Sequence, residues 1–244
     1  MKILGIIPSR YESTRFPGKP LIDIDGKSMI QRVYEQAKKA SSLTEVVVAT
    51  DDDRIFKHIK SFKGNVVMTS SSHESGTDRC AEVLGKYDST FDVVINIQGD
   101  EPFINPEQIN QLSSCFEDAK TDIATLIKKI DTEEELFNPN RPKVHFDVNN
   151  FALMFSRNAI PELPNIKKET WINNQSFYKH IGIYGYRSNI LAKISQLPPS
   201  PLEQKERLEQ LRWLENGYAI KVAITKHEAV AIDTPEDLEK ITFK

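Results

Sequence analysis

The chain has 244 residues, of which 39% are hydrophobic and 27% charged, and a formal net charge of −3. This length fits one large α/β domain or two small ones, and the acidic balance gives no support to a basic nucleic-acid-binding face. No apolar run approaches the roughly 20 residues needed to cross a bilayer, and the N-terminus enters a strand pattern without signal-peptide features, so a cytoplasmic location is expected.

The first apolar run, 3–8, reads as a buried strand. The loop from Pro8 to Pro20 then carries Arg10, Arg15 and Lys19, with Pro17, Gly18 and Pro20 restricting its shape. Three cations on a stiff loop after a strand suit a polyanion such as a nucleoside triphosphate, although such a cluster also fits a solvated surface. Two common phosphate loops are excluded. Gly18-Lys19 precedes Pro20, so the hydroxyl of a Walker loop is missing, and Gly5, Gly18 and Gly26 are too widely spaced for a dinucleotide fingerprint.

Further strand patterns at 45–50, 65–69, 92–98 and 123–130 alternate with helical patterns at 28–40, 52–61, 76–87 and 106–118. Asn105, Pro106 and Gln108 provide a cap, an N1 proline and an N3 partner for the fourth helix. The alternation predicts an α/β fold: a mainly parallel sheet with helices on both faces. Cys80 and Cys115 lie in helical patterns without metal-ligand spacing, which suits buried thiols.

From about 138 to 187 the rhythm changes. Strand patterns at 143–148, 151–156 and 180–187, with a turn at Asn149-Asn150, predict an antiparallel insertion that covers a substrate or packs on a second subunit. Residues 202–216 read as one helix closed by Gly217, 219–225 and 230–232 as strands, and Thr234-Pro235-Glu236-Asp237 as the start of a last helix. With no repeat or linker, 1–244 is expected to form a single domain.

Two strand ends deliver carboxylates. The apolar run 93–97 leads to Gln98-Gly99-Asp100, with Gly99 permitting close backbone approach, and Asp233 follows a second apolar run. A turn aspartate and a helix cap are the plainer readings, yet Thr234 fits the cap better than Asp233 does. Together Asp100 and Asp233 form a candidate magnesium site, because magnesium uses one or two carboxylates and completes its shell with water and phosphate oxygens. HExxH, CxxC and paired histidines are absent from the sequence, so zinc chemistry is not expected.

In order, the motifs Ile7-Pro8-Ser9-Arg10-Tyr11, Ser13-Thr14-Arg15-Phe16-Pro17-Gly18-Lys19-Pro20-Leu21, Ser75-Gly76-Thr77-Asp78-Arg79, Gln98-Gly99-Asp100-Glu101-Pro102, Ala152-Leu153-Met154-Phe155-Ser156-Arg157, His180-Ile181-Gly182-Ile183-Tyr184, Leu208-Glu209-Gln210 and Asp233-Thr234-Pro235-Glu236-Asp237 span nearly the whole chain. This series resembles the 3-deoxy-D-manno-octulosonate cytidylyltransferases (CMP-KDO synthetases) of lipopolysaccharide assembly. The resemblance implies a Rossmann-like nucleotidyltransferase sheet, transfer of CMP from CTP to the octulosonate (KDO), magnesium and a homodimer built partly from the insertion. It implies triphosphate contacts at Arg10, Arg15 and Lys19, nucleotide-pocket positions at Ser9 and Arg79, and metal ligands at Asp100 and Asp233. Sugar-side positions implied are Gln98, Arg157, His180, Tyr184, Glu209 and Gln210, with Arg157 pairing the sugar carboxylate.

Each sugar-side residue also has a plainer reading: a structural histidine, aromatic packing at Tyr184, a solvated Glu209, a surface cation at Arg157. The stretch 162–177 departs from the family pattern. An 8-amino-KDO acceptor and a catalytically silent nucleotide-binding paralogue are the competing functions. Glu101 favours the ordinary octulosonate, and the two acids argue against silence.

Overall fold

A computed structural model describes residues 1–12, 16–87, 90–228 and 230–239. In chain order its strands are β1 (Ile3–Ser9), β2 (Asp23–Ile24), β3 (Lys27–Ser28), β4 (Glu45–Thr50), β5 (Val66–Met68), β6 (Val93–Asn96), β7 (Ile123–Lys129), β8 (Lys143–Phe146), β9 (Ala152–Ser156), β10 (Tyr178–Arg187) and β11 (Ile220–Ile224). The helices are α1 (Met29–Ala37), α2 (Asp53–Ser61), α3 (Gly76–Gly85), α4 (Pro106–Ser114), α5 (Glu133–Phe137), α6 (Trp171–Asn174), α7 (Ser188–Ile194), α8 (Pro201–Glu206), α9 (Gln210–Glu215) and α10 (Pro235–Glu239).

The main sheet runs β11-β7-β10-β6-β1-β4-β5, with β8 and β9 joined at the side of β10, and β2 and β3 form a separate hairpin. Every pairing along that path is parallel except the two made by β10. Side chains alternate between two cores as the period of two requires. Ile3, Ile7, Val46 and Val48 face one core with Ile30, Ile55 and Ile109 from α1, α2 and α4. Leu4, Ile6, Val47 and Ala49 face the other with Val83, Leu191 and Trp213 from α3, α7 and α9. The cap expected at Asn105 is present, and a second one stands at Ser75. Asn105 and Gln108 form a capping box with Pro106 at the start of α4, and Ser75 with Asp78 does the same for α3.

Three expectations need correction. The stretch 180–187 is not part of a detached insertion: β10 lies between β6 and β7 in the main sheet, and only β8–β9 forms the antiparallel flap beside it. Residues 202–216 do not form one helix. Arg207 adopts a left-handed conformation (φ 54°) that separates α8 from α9, a role usually taken by glycine or asparagine, so the sequence carries no signal for it. Residues 230–232 are irregular where described. Helix α7 forms where no element was expected, burying Ile190, Leu191 and Ile194 against the sheet.

Candidate active site

The loop after β1 is shaped by Gly18, whose φ of 73° lies in the left-handed region. Its N–H donates to the carbonyl of Tyr11 at 3.0 Å, and a Cβ there would sit 3.1 Å from the Tyr11 hydroxyl. The turn delivers Lys19 inward. Its ammonium donates to Asp100 Oδ2 at 2.8 Å and to Asp233 Oδ1 at 3.2 Å, so one cation spans two acids from distant parts of the sequence.

Asp100 reaches this point because the chain leaving β6 packs directly on the end of β1. A Cβ on Gly99 would lie 2.7 Å from the carbonyl oxygen of Pro8, too close for any side chain. Asp233 follows Ile232, which is buried with Ile24 and Met29. The N–H groups of Asp233 and Thr234 both donate to the Asp237 carboxylate at 3.1 Å, which ties Asp233 to the start of the last helix. Glu101 is buried beside Asp100, and burial first, then the Asp100 charge, pushes its carboxyl up to about 7.

Among the remaining cations, Arg10 is exposed and donates to the carbonyl of His73. Ser9 ends β1 with its hydroxyl buried and without a hydrogen-bond partner among the described residues. Arg79 is wholly buried, paired with Asp51 at 2.9 Å and with Thr69, so it ties the ends of β4 and β5 together inside the fold. Arg15 lies outside the described residues.

The sugar-side residues gather around β10. Between Ile181 and Tyr184 its register against β7 shifts, so His180 and Tyr184, four apart in β10, oppose Ile127 and Thr125, two apart in β7. This bulge brings the two rings to 5.1 Å. Thr125 pins it: its hydroxyl lies 2.9 Å from His180 Nε2 and 3.2 and 2.8 Å from the carbonyls of Ile181 and Ile183. Burial holds His180 neutral, down to about 3, and raises the Tyr184 and Tyr186 phenols, so all three are neutral hydrogen-bonding groups near pH 7. His180 and Asp233 also line one cavity of about 790 Å³.

Glu209 and Gln210 stand at the start of α9, immediately after the break at Arg207. Glu209 is not a solvated surface charge. Burial raises its carboxyl pKa, and it accepts from the Thr77 hydroxyl at 3.0 Å. Gln98 lies partly buried between β6 and Asp100. Arg157 is differently engaged from the expected carboxylate fork: its guanidinium donates to the carbonyls of Glu206 (2.6 Å), Pro139 (3.0 Å) and Arg207 (3.3 Å), locking α8 to the end of β9. The fully buried Lys143 supports the same corner, donating to the carbonyls of Asn138, Arg141 and Arg157 within 2.9 Å. Neither α8–Arg157 packing nor Lys143 burial has a sequence signal, because long cations usually face water.

Acids and cations at the carboxyl edge of a mainly parallel sheet, beside a recess of neutral polar groups, define the α/β nucleotidyltransferase class. The cytidylyltransferase family profile matches residues 4–238, and the chain belongs to that family. A 3-deoxy-manno-octulosonate cytidylyltransferase from Parabacteroides distasonis is 59% identical over 244 residues, covering 98% of this chain and 96% of the relative. One of the same description from Cytophaga hutchinsonii is 56% identical, covering 99% and 97%. The structure of CMP:2-keto-3-deoxy-manno-octonic acid synthetase complexed with CTP superposes with a TM-score of 0.91 at 42% identity, covering 98% of this chain and 96% of that one.

Proposed function

We propose that this protein transfers CMP from CTP to the anomeric hydroxyl of 3-deoxy-D-manno-octulosonate, with release of diphosphate. The observation that carries the reading is the convergence of Asp100 and Asp233 on Lys19 beside the cationic loop, in a chain 59% identical to a relative of that description.

In-line attack on the α-phosphorus requires alignment of two substrates and neutralised charge, and no covalent enzyme intermediate. Lys19 and Arg10 supply positive charge at the β1 loop for the triphosphate and for the diphosphate as it leaves. Until substrate arrives, the two carboxylates hold Lys19 in place at 2.8 and 3.2 Å. The neutral His180, Tyr184 and Gln210 orient sugar hydroxyls without placing a further charge against the α-phosphate.

Two hard carboxylate ligands from separate loops fit magnesium, and among the described residues no cluster of three or more histidine, cysteine or acidic side chains forms a closed metal cage. Asp100 and Asp233 would hold the ion, which when bound neutralises phosphate charge and lowers the pKa of a coordinated hydroxyl. We further propose a homodimer through the β8–β9 flap, supported by the exposed Val148, Leu153 and Met154 on it.

Incubation of the purified protein with magnesium, each nucleoside triphosphate and a panel of sugar acids, with diphosphate as the readout, tests the activity. CTP with the octulosonate is the expected productive pair. No diphosphate from that pair, or equal release with 8-amino-KDO or another acceptor, overturns the assignment.

A further inference from the structure

Seven buried side-chain polar atoms lack a hydrogen-bond partner among the described residues, and four of them belong to residues that adjoin one another: Asn96 Oδ1, Tyr184 OH, Gln210 Nε2 and Trp213 Nε1. Their residues are all at least nine-tenths buried, at 4%, 8%, 4% and 0% exposed. A buried polar atom without a partner is costly, so native folds carry few of them.

Sequence pattern and topology bring the four together. Asn96 ends β6 directly opposite Tyr184 of β10. The Tyr184 ring meets Trp213 edge-on at 5.1 Å. Gln210 and Trp213 lie three apart in α9, on one helical face. The start of α3 closes the side, where a Cβ on Gly76 would come within 3.3 Å of Asn96 Nδ2. Thr77 and Glu209 border the group but satisfy each other.

A cluster of complementary unsatisfied donors and acceptors suits a ligand that presents several hydroxyls at fixed spacing. We infer that Asn96 and Trp213 are specificity-determining contacts for the polyhydroxylated acceptor, Asn96 accepting from one hydroxyl and the Trp213 indole N–H donating to another. This deepens the proposed function and rests on it. Neither residue stands out in the sequence: Asn96 sits within an apolar strand run and Trp213 within an amphipathic helix.

Trp213→Phe removes the indole donor while retaining an aromatic ring. The smaller ring leaves a gap at a fully buried position, so its Tm falls whatever the N–H does, and the diagnostic readout is the split between the two KM values. With the acceptor, the KM for octulosonate is expected to rise about tenfold, the worth of one buried hydrogen bond, with KM for CTP within twofold of the unmodified chain. Asn96→Leu, read by the same pair of KM values and by the Tm rise that saturating octulosonate produces, provides the second arm. Unchanged octulosonate KM in both variants, or a rise in CTP KM equal to that for octulosonate, overturns the inference while leaving the cytidylyltransferase reading in place. Failure of the unmodified chain to turn over CTP with octulosonate instead overturns that reading, and the inference with it.

Discussion

The main-chain N–H of Ile232 donates to the carbonyl oxygen of Asp100 at 3.0 Å. The two loops that carry the acidic pair are therefore joined through backbone at Asp100 itself and one residue before Asp233, and their convergence does not depend on Lys19 alone. A charge-neutral, near-isosteric change at either acid should leave this connection intact. We expect Asp100→Asn and Asp233→Asn to fold with native circular dichroism and each to lose about 10²–10³-fold in kcat, the scale of removing a charged group that stabilises the transition state. Near-normal diphosphate release from either variant would remove that residue from the catalytic centre.

Lys19 responds differently because it faces two partners at once. Lys19→Met leaves Asp100 and Asp233 opposed without the cation that spans them at 2.8 and 3.2 Å. Without magnesium and CTP, the like charges should lower stability by about 1 kcal/mol, a penalty that excess magnesium relieves. With CTP present, kcat/KM should fall about 100-fold, since the cation to the triphosphate is gone. Thermal melts with and without magnesium, alongside CTP kinetics, separate the two effects. Unchanged kcat/KM would reject the triphosphate role.

Gly99 is where backbone approach is closest to the site. A methyl group there would stand 2.7 Å from the Pro8 carbonyl oxygen, so the β1 end or the Asp100 loop must shift. Gly99→Ala should cost about 1–3 kcal/mol of stability, in the range of overpacking changes, and should displace Asp100 enough to cut turnover by at least about 10-fold. Urea unfolding and diphosphate release measure both. Full activity at native stability would show that the loop has slack the geometry does not suggest.

The parts legible in sequence are those set by short-range rules. The alternation of apolar strands with capped helices is set by side-chain period and by residues such as Asn105, Pro106 and Ser75, so the layered sheet followed from it. The acidic pair was legible because each aspartate closes an apolar run. The rest depends on long-range pairing. Whether 180–187 joins the flap or the main sheet is decided by partners at 93–96 and 123–129, since its alternating pattern suits either place. The break before Glu209 depends on Arg207 tolerating a positive φ, and the carbonyls of Glu206 and Arg207 accept from Arg157, which fixes a bend no local preference calls for. Burial likewise reassigns side chains: Arg79, a nucleotide-pocket position by resemblance, pairs with Asp51 inside the fold, and Lys143 is enclosed by carbonyls.

His180 gives the site a pH signature of definite sign. Its folded value is held down at about 3, against about 6.5 when unfolded, by burial of the ring. Between those values the unfolded chain binds the proton and the folded chain does not, so stability is full above about pH 6.5 and falls with acidification. This single group contributes at most about 1.4 kcal/mol per pH unit, levelling off near pH 3. His180→Gln retains a polar side chain at Thr125 but has no titrating ring. Its stability, measured by urea unfolding from pH 7 down to pH 4.5, should therefore be lower than that of the unmodified protein at pH 7 and should decline less steeply with acid. The octulosonate KM of the variant should rise, because the ring shares the bulge that carries Tyr184. Parallel acid slopes for the two proteins would mean that His180 takes up its proton within the folded state, and the neutral-imidazole account of the recess would fall with it.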